Sequence, residues 1–172
     1  MEQQYGLWIL FLAYISYYDA KVDSRVKQVF DTYDFQGEVG LLQFWECSTH
    51  GDSDNNGCYL LLTDQFCVSN VRDNRIDNYR RRCLDDNYRF VGRETNVGRW
   101  LAGRAAQTGV ADYQYDGEAT GMGQLVLPVY FNHPGAGMKL AGIIELVTAQ
   151  HNETYAAYFN QIQALLMVSY LC

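Results

Sequence analysis

The chain has only two prolines, Pro128 and Pro134, and no internal repeat or low-complexity stretch. No linker is therefore visible, and 172 residues suit one domain with a sizeable core. Basic residues are also scarce: 13 Lys and Arg stand against 20 Asp and Glu, for a net charge of −7. Duplex binding needs clustered cations to neutralise phosphates, so this balance excludes direct nucleic-acid binding by this chain. The one basic cluster, Arg80-Arg81-Arg82, lies among Asp77, Asp85 and Asp86. It reads as a solvated helix face, with a phosphate site as the sharper alternative.

The five cysteines (Cys47, Cys58, Cys67, Cys83 and Cys172) are odd in number and include no C-x-x-C pair. That pattern excludes a disulfide framework or structural zinc and points to a reducing compartment, nuclear or cytoplasmic. His50, His133 and His151 lie far apart without metal-ligand spacing, so no metal is expected. G-x-S-x-G, P-loop and dinucleotide glycine motifs are absent, and neither an enzyme nor a cofactor is expected. Residues 5–18 are uncharged, but too few to span a bilayer, and neither a basic start nor an Ala-x-Ala site marks them as a signal peptide. They read as a buried or partner-facing helix, with no membrane role.

What the chain does have is aromatic mass: 14 Tyr, 8 Phe and 3 Trp, within a 48% hydrophobic composition. Val22, Val26, Val29, Phe30 and Tyr33 recur at helical spacing after a start at Asp19 or Asp23, and Gly37 and Gly40 stop that helix. Residues 40–47 and 58–62 read as antiparallel strands. The loop between them has the Asp52-x-Asp54-x-Asn56-Gly57 start of a calcium loop, but Thr63 stands where a bidentate Glu is needed, so a hairpin turn is expected. Residues 72–84 read as a helix with Ile76, Tyr79 or Arg80, and Cys83 on one side, 88–91 as a short strand, and 97–107 as a small-residue helix closed by Gly109. Strands follow at 124–131 and 139–148. A final helix over 153–170 turns Tyr155, Phe159, Ile162 and Leu166 inward. The pattern predicts an α+β fold, with a central antiparallel sheet of five or six strands flanked by helices.

The stretch from Asn96 to Thr148 resembles the second half of a GAF domain, a fold that wraps a small-molecule pocket between sheet and helices. More specifically, residues 22–172 resemble the N-terminal regulatory region of plant NIN-like proteins, the RWP-RK transcription factors of nitrate signalling. The matching residues are Leu42-Gln-Phe-Trp45, Gly57-Cys-Tyr-Leu-Leu-Leu-Thr-Asp-Gln-Phe66, Tyr79-Arg80, Asp86-x-Tyr88-x-Phe90 and Gly103-Arg104. Gly123-Gln-Leu-Val-Leu-Pro-Val129, Gly142-Ile-Ile-Glu-Leu-Val147 and Asn152-x-x-Tyr155 continue the set in order. The resemblance implies an aromatic N-terminal segment over 1–21 and a GAF-like regulatory domain over 22–172. It also implies nitrate-responsive regulation of transcription. The family's Arg-Trp-Pro-x-Arg-Lys motif is absent, so the chain is a fragment, a truncated product or a stand-alone regulator acting through protein partners, self-association included.

Five residues are candidates for ligand contact. Arg104 is placed to fork onto a planar oxyanion such as nitrate, with an ion pair to Asp112 as the bland alternative. Trp100 is pocket wall or core, and Tyr113 and Tyr115 offer hydroxyls or plain packing. Glu145 interrupts an apolar strand and either faces solvent by alternation or is buried with a cation such as Arg104; the exposed reading is preferred. The acids between Tyr115 and Gly123 oppose an anion nearby. Two alternatives to a non-catalytic sensor remain: a thiol-dependent small-molecule reductase of the GAF type, and a degenerate GAF interaction module.

Overall fold

A computed structural model describes residues 13–16, 19–48, 58–85, 89–91, 101–115, 121–133 and 137–167. In chain order the elements are β1 (Ala13–Ser16), α1 (Asp19–Thr32), β2 (Gly40–Ser48), β3 (Cys58–Ser69), α2 (Asn74–Asp85) and β4 (Arg89–Val91). They continue with α3 (Leu101–Thr108), β5 (Asp112–Tyr115), β6 (Gly123–His133), β7 (Gly137–Thr148) and α4 (Ala156–Met167). The α+β reading holds. The seven strands form one sheet in the order β1-β6-β7-β2-β3-β4, with β5 also on β6.

All pairings are antiparallel except β1 on β6, where Ala13 to Ser16 run parallel to Val129 to Asn132. The helix expected over 5–18 is thus corrected at its described residues. Two β-branched or aromatic residues in a row, Tyr14 and Ile15, suit a pleated edge better than a helix. The 49–57 turn and the N-terminal part of the 97–107 helix lie outside the described residues. Strand β3 runs past its expected end at residue 62, through Thr63-Asp64-Gln65, and β2 meets it with a register shift between Gln43 and Trp45. Before β2, Gln36 and Gly37 both take positive φ, 54° and 82°, and so reverse the chain.

The sheet is covered on both faces. On the first face, Leu42, Phe44, Phe66, Leu125, Leu127, Val129, Ile144 and Leu146 pack against α1 and α4, through Val22, Val26, Val29 and Phe30 and through Tyr158, Ile162 and Leu166. On the second face, Leu41, Trp45, Leu60, Leu62, Val126, Ile143 and Val147 pack under α2 and α3. Every residue of β7 from Ala141 to Thr148 is consequently buried. A continuous apolar run with β-branched residues is what a strand covered on both faces requires.

Gly142 of β7 faces Glu46 of β2, and a Cβ there would run into the Trp45 carbonyl oxygen and the Phe44 ring. Backbone cannot retreat as a flexible side chain can. Gly142→Ala is therefore expected to destabilise by about 1–3 kcal/mol, the usual range for overpacking, read as a lower urea midpoint at unchanged m-value.

Candidate functional site

The second face of the sheet has a polar centre. Glu145 is only 1% exposed, which corrects the solvent-facing reading. Its neighbours Ile143, Ile144, Leu146 and Val147 form a two-sided buried run, so alternation on β7 turns Glu145 to a covered face and not to water. Gln43 lies directly opposite on β2 and Val126 directly opposite on β6.

Three donors converge on the carboxylate. Gln43 Nε2 and Trp45 Nε1 donate to Oε2 at 2.7 and 2.6 Å, and the Tyr79 hydroxyl donates to Oε1 at 2.5 Å. Arg80 Nη1 donates to Gln43 Oε1 at 2.9 Å, so the cation is felt through the amide. Chains of this kind polarise each link, and hydrogen bonds to a charged acceptor are the stronger ones. Cys83 closes the group, with Gln43 Nε2 3.9 Å from its Sγ.

Helix α2 supplies Tyr79 and Cys83 because Ile76, Tyr79 and Cys83 share its buried side at i, i+3 and i+7. Burial, and then the Glu145 charge, push the Cys83 thiol up to about 12 and hold the Tyr79 phenol well above its usual 10. Both groups stay protonated at neutral pH, Tyr79 as a donor and Cys83 as an inert thiol.

The remaining candidates sit elsewhere. Arg104 on α3 is half-buried, and its guanidinium is bound by Asp112 at 2.9 Å from Nε and 2.7 Å from Nη2. It pairs with Asp112 and not with Glu145. Helix α3 itself packs through Leu101, Ala102, Gly103 and Ala105, whose small side chains let it approach the sheet closely. Tyr113 and Tyr115, on β5, are 51% and 47% exposed. They stack on Tyr155 and His151, with ring centroids 5.6 and 4.7 Å apart. Trp100 lies outside the described residues.

The structure therefore brings Glu145 together with Gln43, Trp45, Tyr79 and Cys83, and leaves Arg104, Tyr113 and Tyr115 outside that group. Tyr79 was missed as a site residue although its i+3 and i+4 spacing to Ile76 and Cys83 marked it as inward. Gln43, a lone amide in the apolar Leu41–Trp45 segment, carried the same signal as Glu145. The cysteines also depart from expectation: Cys47 is disulfide-bonded, while Cys67 and Cys83 form no disulfide. Among the described residues no group of three His, Cys, Asp or Glu could hold a metal, and no helix is long and apolar enough to cross a membrane.

No protein-family model matches the chain, and no curated protein does. Among solved structures it is similar to a Burkholderia vietnamiensis protein provisionally described as a GAF sensor. The two share 12% identity over 86% of this chain and 73% of that one, with a TM-score of 0.46.

Removing the acceptor should cost more than removing one donor. Glu145→Ala orphans three buried donors at about 1–3 kcal/mol each, not fully additive, whereas Tyr79→Phe deletes a single bond and should cost about 1–2 kcal/mol. Equal losses in urea titrations of the two variants would contradict the hub arrangement. A second expectation concerns pH. The unfolded chain loses its Cys83 proton near 9 and the folded chain near 12. Stability that is full below 9 is then lost as pH rises between those values, because the folded state binds more protons there. Urea midpoints should fall on the alkaline side of 9, and less steeply in Cys83→Ala.

Proposed function

We infer that the chain is a non-catalytic sensory or regulatory domain of the GAF type. Its layering supports this: the paired helices α1 and α4 on one face, and α2 with the small-residue helix α3 over a polar centre on the other. The observation that carries the reading is the Glu145 carboxylate, buried beneath α2 and keyed to it by the Tyr79 hydroxyl. The proposed mechanism has two packings of the helical cover, one with this directional contact made and one with it broken. A ligand or partner that stabilises one of them shifts the population by its differential affinity.

The ordered resemblance to NIN-like regulatory regions supports the finer reading, a regulator of transcription in nitrate signalling that works through protein partners. Nitrate itself meets poor electrostatics at this face. Glu145 is an anion at its centre, and the Arg104 guanidinium already holds Asp112. The thiol-reductase alternative loses ground for a related reason, since Cys83 is buried and holds its proton and Cys47 is in a disulfide.

Calorimetry with nitrate, against chloride, tests the partner-based regulator. The expected outcome is no nitrate-specific saturable heat at millimolar concentration from a folded sample. A saturable heat that disappears in Arg104→Ala would instead make the chain a direct nitrate sensor, with α3 at its site.

A further inference from the structure

The outer side of α2 is unlike the rest of this acidic protein. Ile76, Tyr79 and Cys83 point inward, and Arg75, Asn78 and Arg82, each one residue earlier, form a parallel row beside them. Together with Arg81 they line an open concavity of about 450 Å³. Arg75 is anchored at one end by Asp73, 2.7 Å from Nη2, and this contact also holds the Asp73 carboxyl below its usual range. Arg81 Nη1 donates to Asn78 Oδ1 at 3.3 Å. Arg81 and Arg82 are exposed. From Asp73 to Asp85 four arginines meet three aspartates, a local net charge of +1 in a chain whose total is −7.

We propose that this concavity binds a small polyphosphate ligand, through the Arg81 and Arg82 guanidinium groups with the Asn78 amide beside them, Arg75 being held by Asp73 at its edge. Guanidinium forks match phosphate oxygens two at a time, which a lysine row would not. The volume lies within the roughly 300–1,000 Å³ of small-molecule sites and is generous for one oxyanion. A local positive row on a negative protein also steers anions to that place. The helix carries its own link inward: Arg80 reaches Gln43, and Tyr79 reaches Glu145. A ligand clamped outside thus braces the element whose inner side is keyed to the sheet. The proposal goes beyond the regulatory reading and stands without it, because the arginine row lies beside the inward row of α2 and not on it.

The test is calorimetry of the full chain with inorganic tripolyphosphate in low-salt buffer. Saturable one-to-one binding is expected, weakened about tenfold or more in Arg81→Gln/Arg82→Gln. The charge-matched Lys27→Gln/Lys139→Gln, at exposed positions on α1 and β7, should bind as the wild type does. Orthophosphate should bind at least about tenfold more weakly than tripolyphosphate. The proposal is overturned by no binding to the wild type, by undiminished binding to the arginine double variant, or by equal losses in both double variants. Equal affinity for orthophosphate would also overturn it, by reducing the site to a single-anion contact. Should the arginine double variant lose helical circular dichroism, Arg82→Gln alone carries the same comparison, and unchanged affinity there decides against the site.

Discussion

A carboxylate placed in the middle of an apolar strand has to be satisfied, and the rest of this structure is arranged around satisfying Glu145. Its donors come from two layers. Gln43 and Trp45 lie on β2, the sheet neighbour of β7, and Tyr79 comes from the helix above. The first two fix the β2–β7 register, because a one-residue slip would turn Gln43 and Trp45 to the other face. Tyr79 fixes where α2 lies over the sheet. Only apolar residues at 145 and at all three donor positions together would remove the need for the network, and such a wholesale hydrophobic replacement is often no less stable. What the arrangement supplies is direction. It selects one placement of α2 from the many that Ile76 and Cys83 alone would tolerate.

The two faces of the sheet are held by different physics. Under α1 and α4 the contact is broad and aliphatic or aromatic, with Phe44 edge-on to Phe66 at 5.9 Å. Burial of that kind is non-directional and scales with area. Polar atoms on that side include the Thr148 and Tyr155 hydroxyls, 3.0 Å apart. Under α2 and α3 the core sets Trp45 and Met122 beside the alanines of α3, and the bonding to Glu145 is directional.

Much of this was legible in the residues. The 3.6-residue periodicity placed α1, α2 and α4 within a few residues, since each has one apolar side against a sheet. The β6–β7 hairpin was legible because Gly and Pro bracket two β-branched runs. Strand β5 was missed: Asp112-Tyr-Gln-Tyr115 has two exposed tyrosines and no apolar alternation, and only its pairing with β6 defines it. The side of Glu145 was misread because strand alternation assumes one wet face, and β7 has none. The composition of β7 held the correction, since an unbroken Ile-Ile-x-Leu-Val run leaves no room for a solvated side. Arg104 and Asp112 were legible as a pair, being one helix end apart. The bonding of Cys47 was not, because no spacing rule identifies a single bridge among five cysteines.

The placement of charge follows from the same hub. The interior beneath α2 is an acceptor centre, so it is the wrong environment for an anion and the right one for N–H and O–H donors. The cations near it are turned away or occupied: Arg80 spends its contact on Gln43 Oε1, and Arg104 holds Asp112 at the edge of α3. Arg75, Arg81 and Arg82 face outward. Helix α2 is thus a wall between a negative interior and a positive exterior, with Tyr79 and Arg80 passing through its inner side. Any anion must approach from outside this wall, and any effect on the sheet must be transmitted by moving the wall. The helix carries both terms on adjacent residues. The polar link to the sheet and the outward arginines thus share α2, and not the small-residue helix α3 that the sequence first brings to attention.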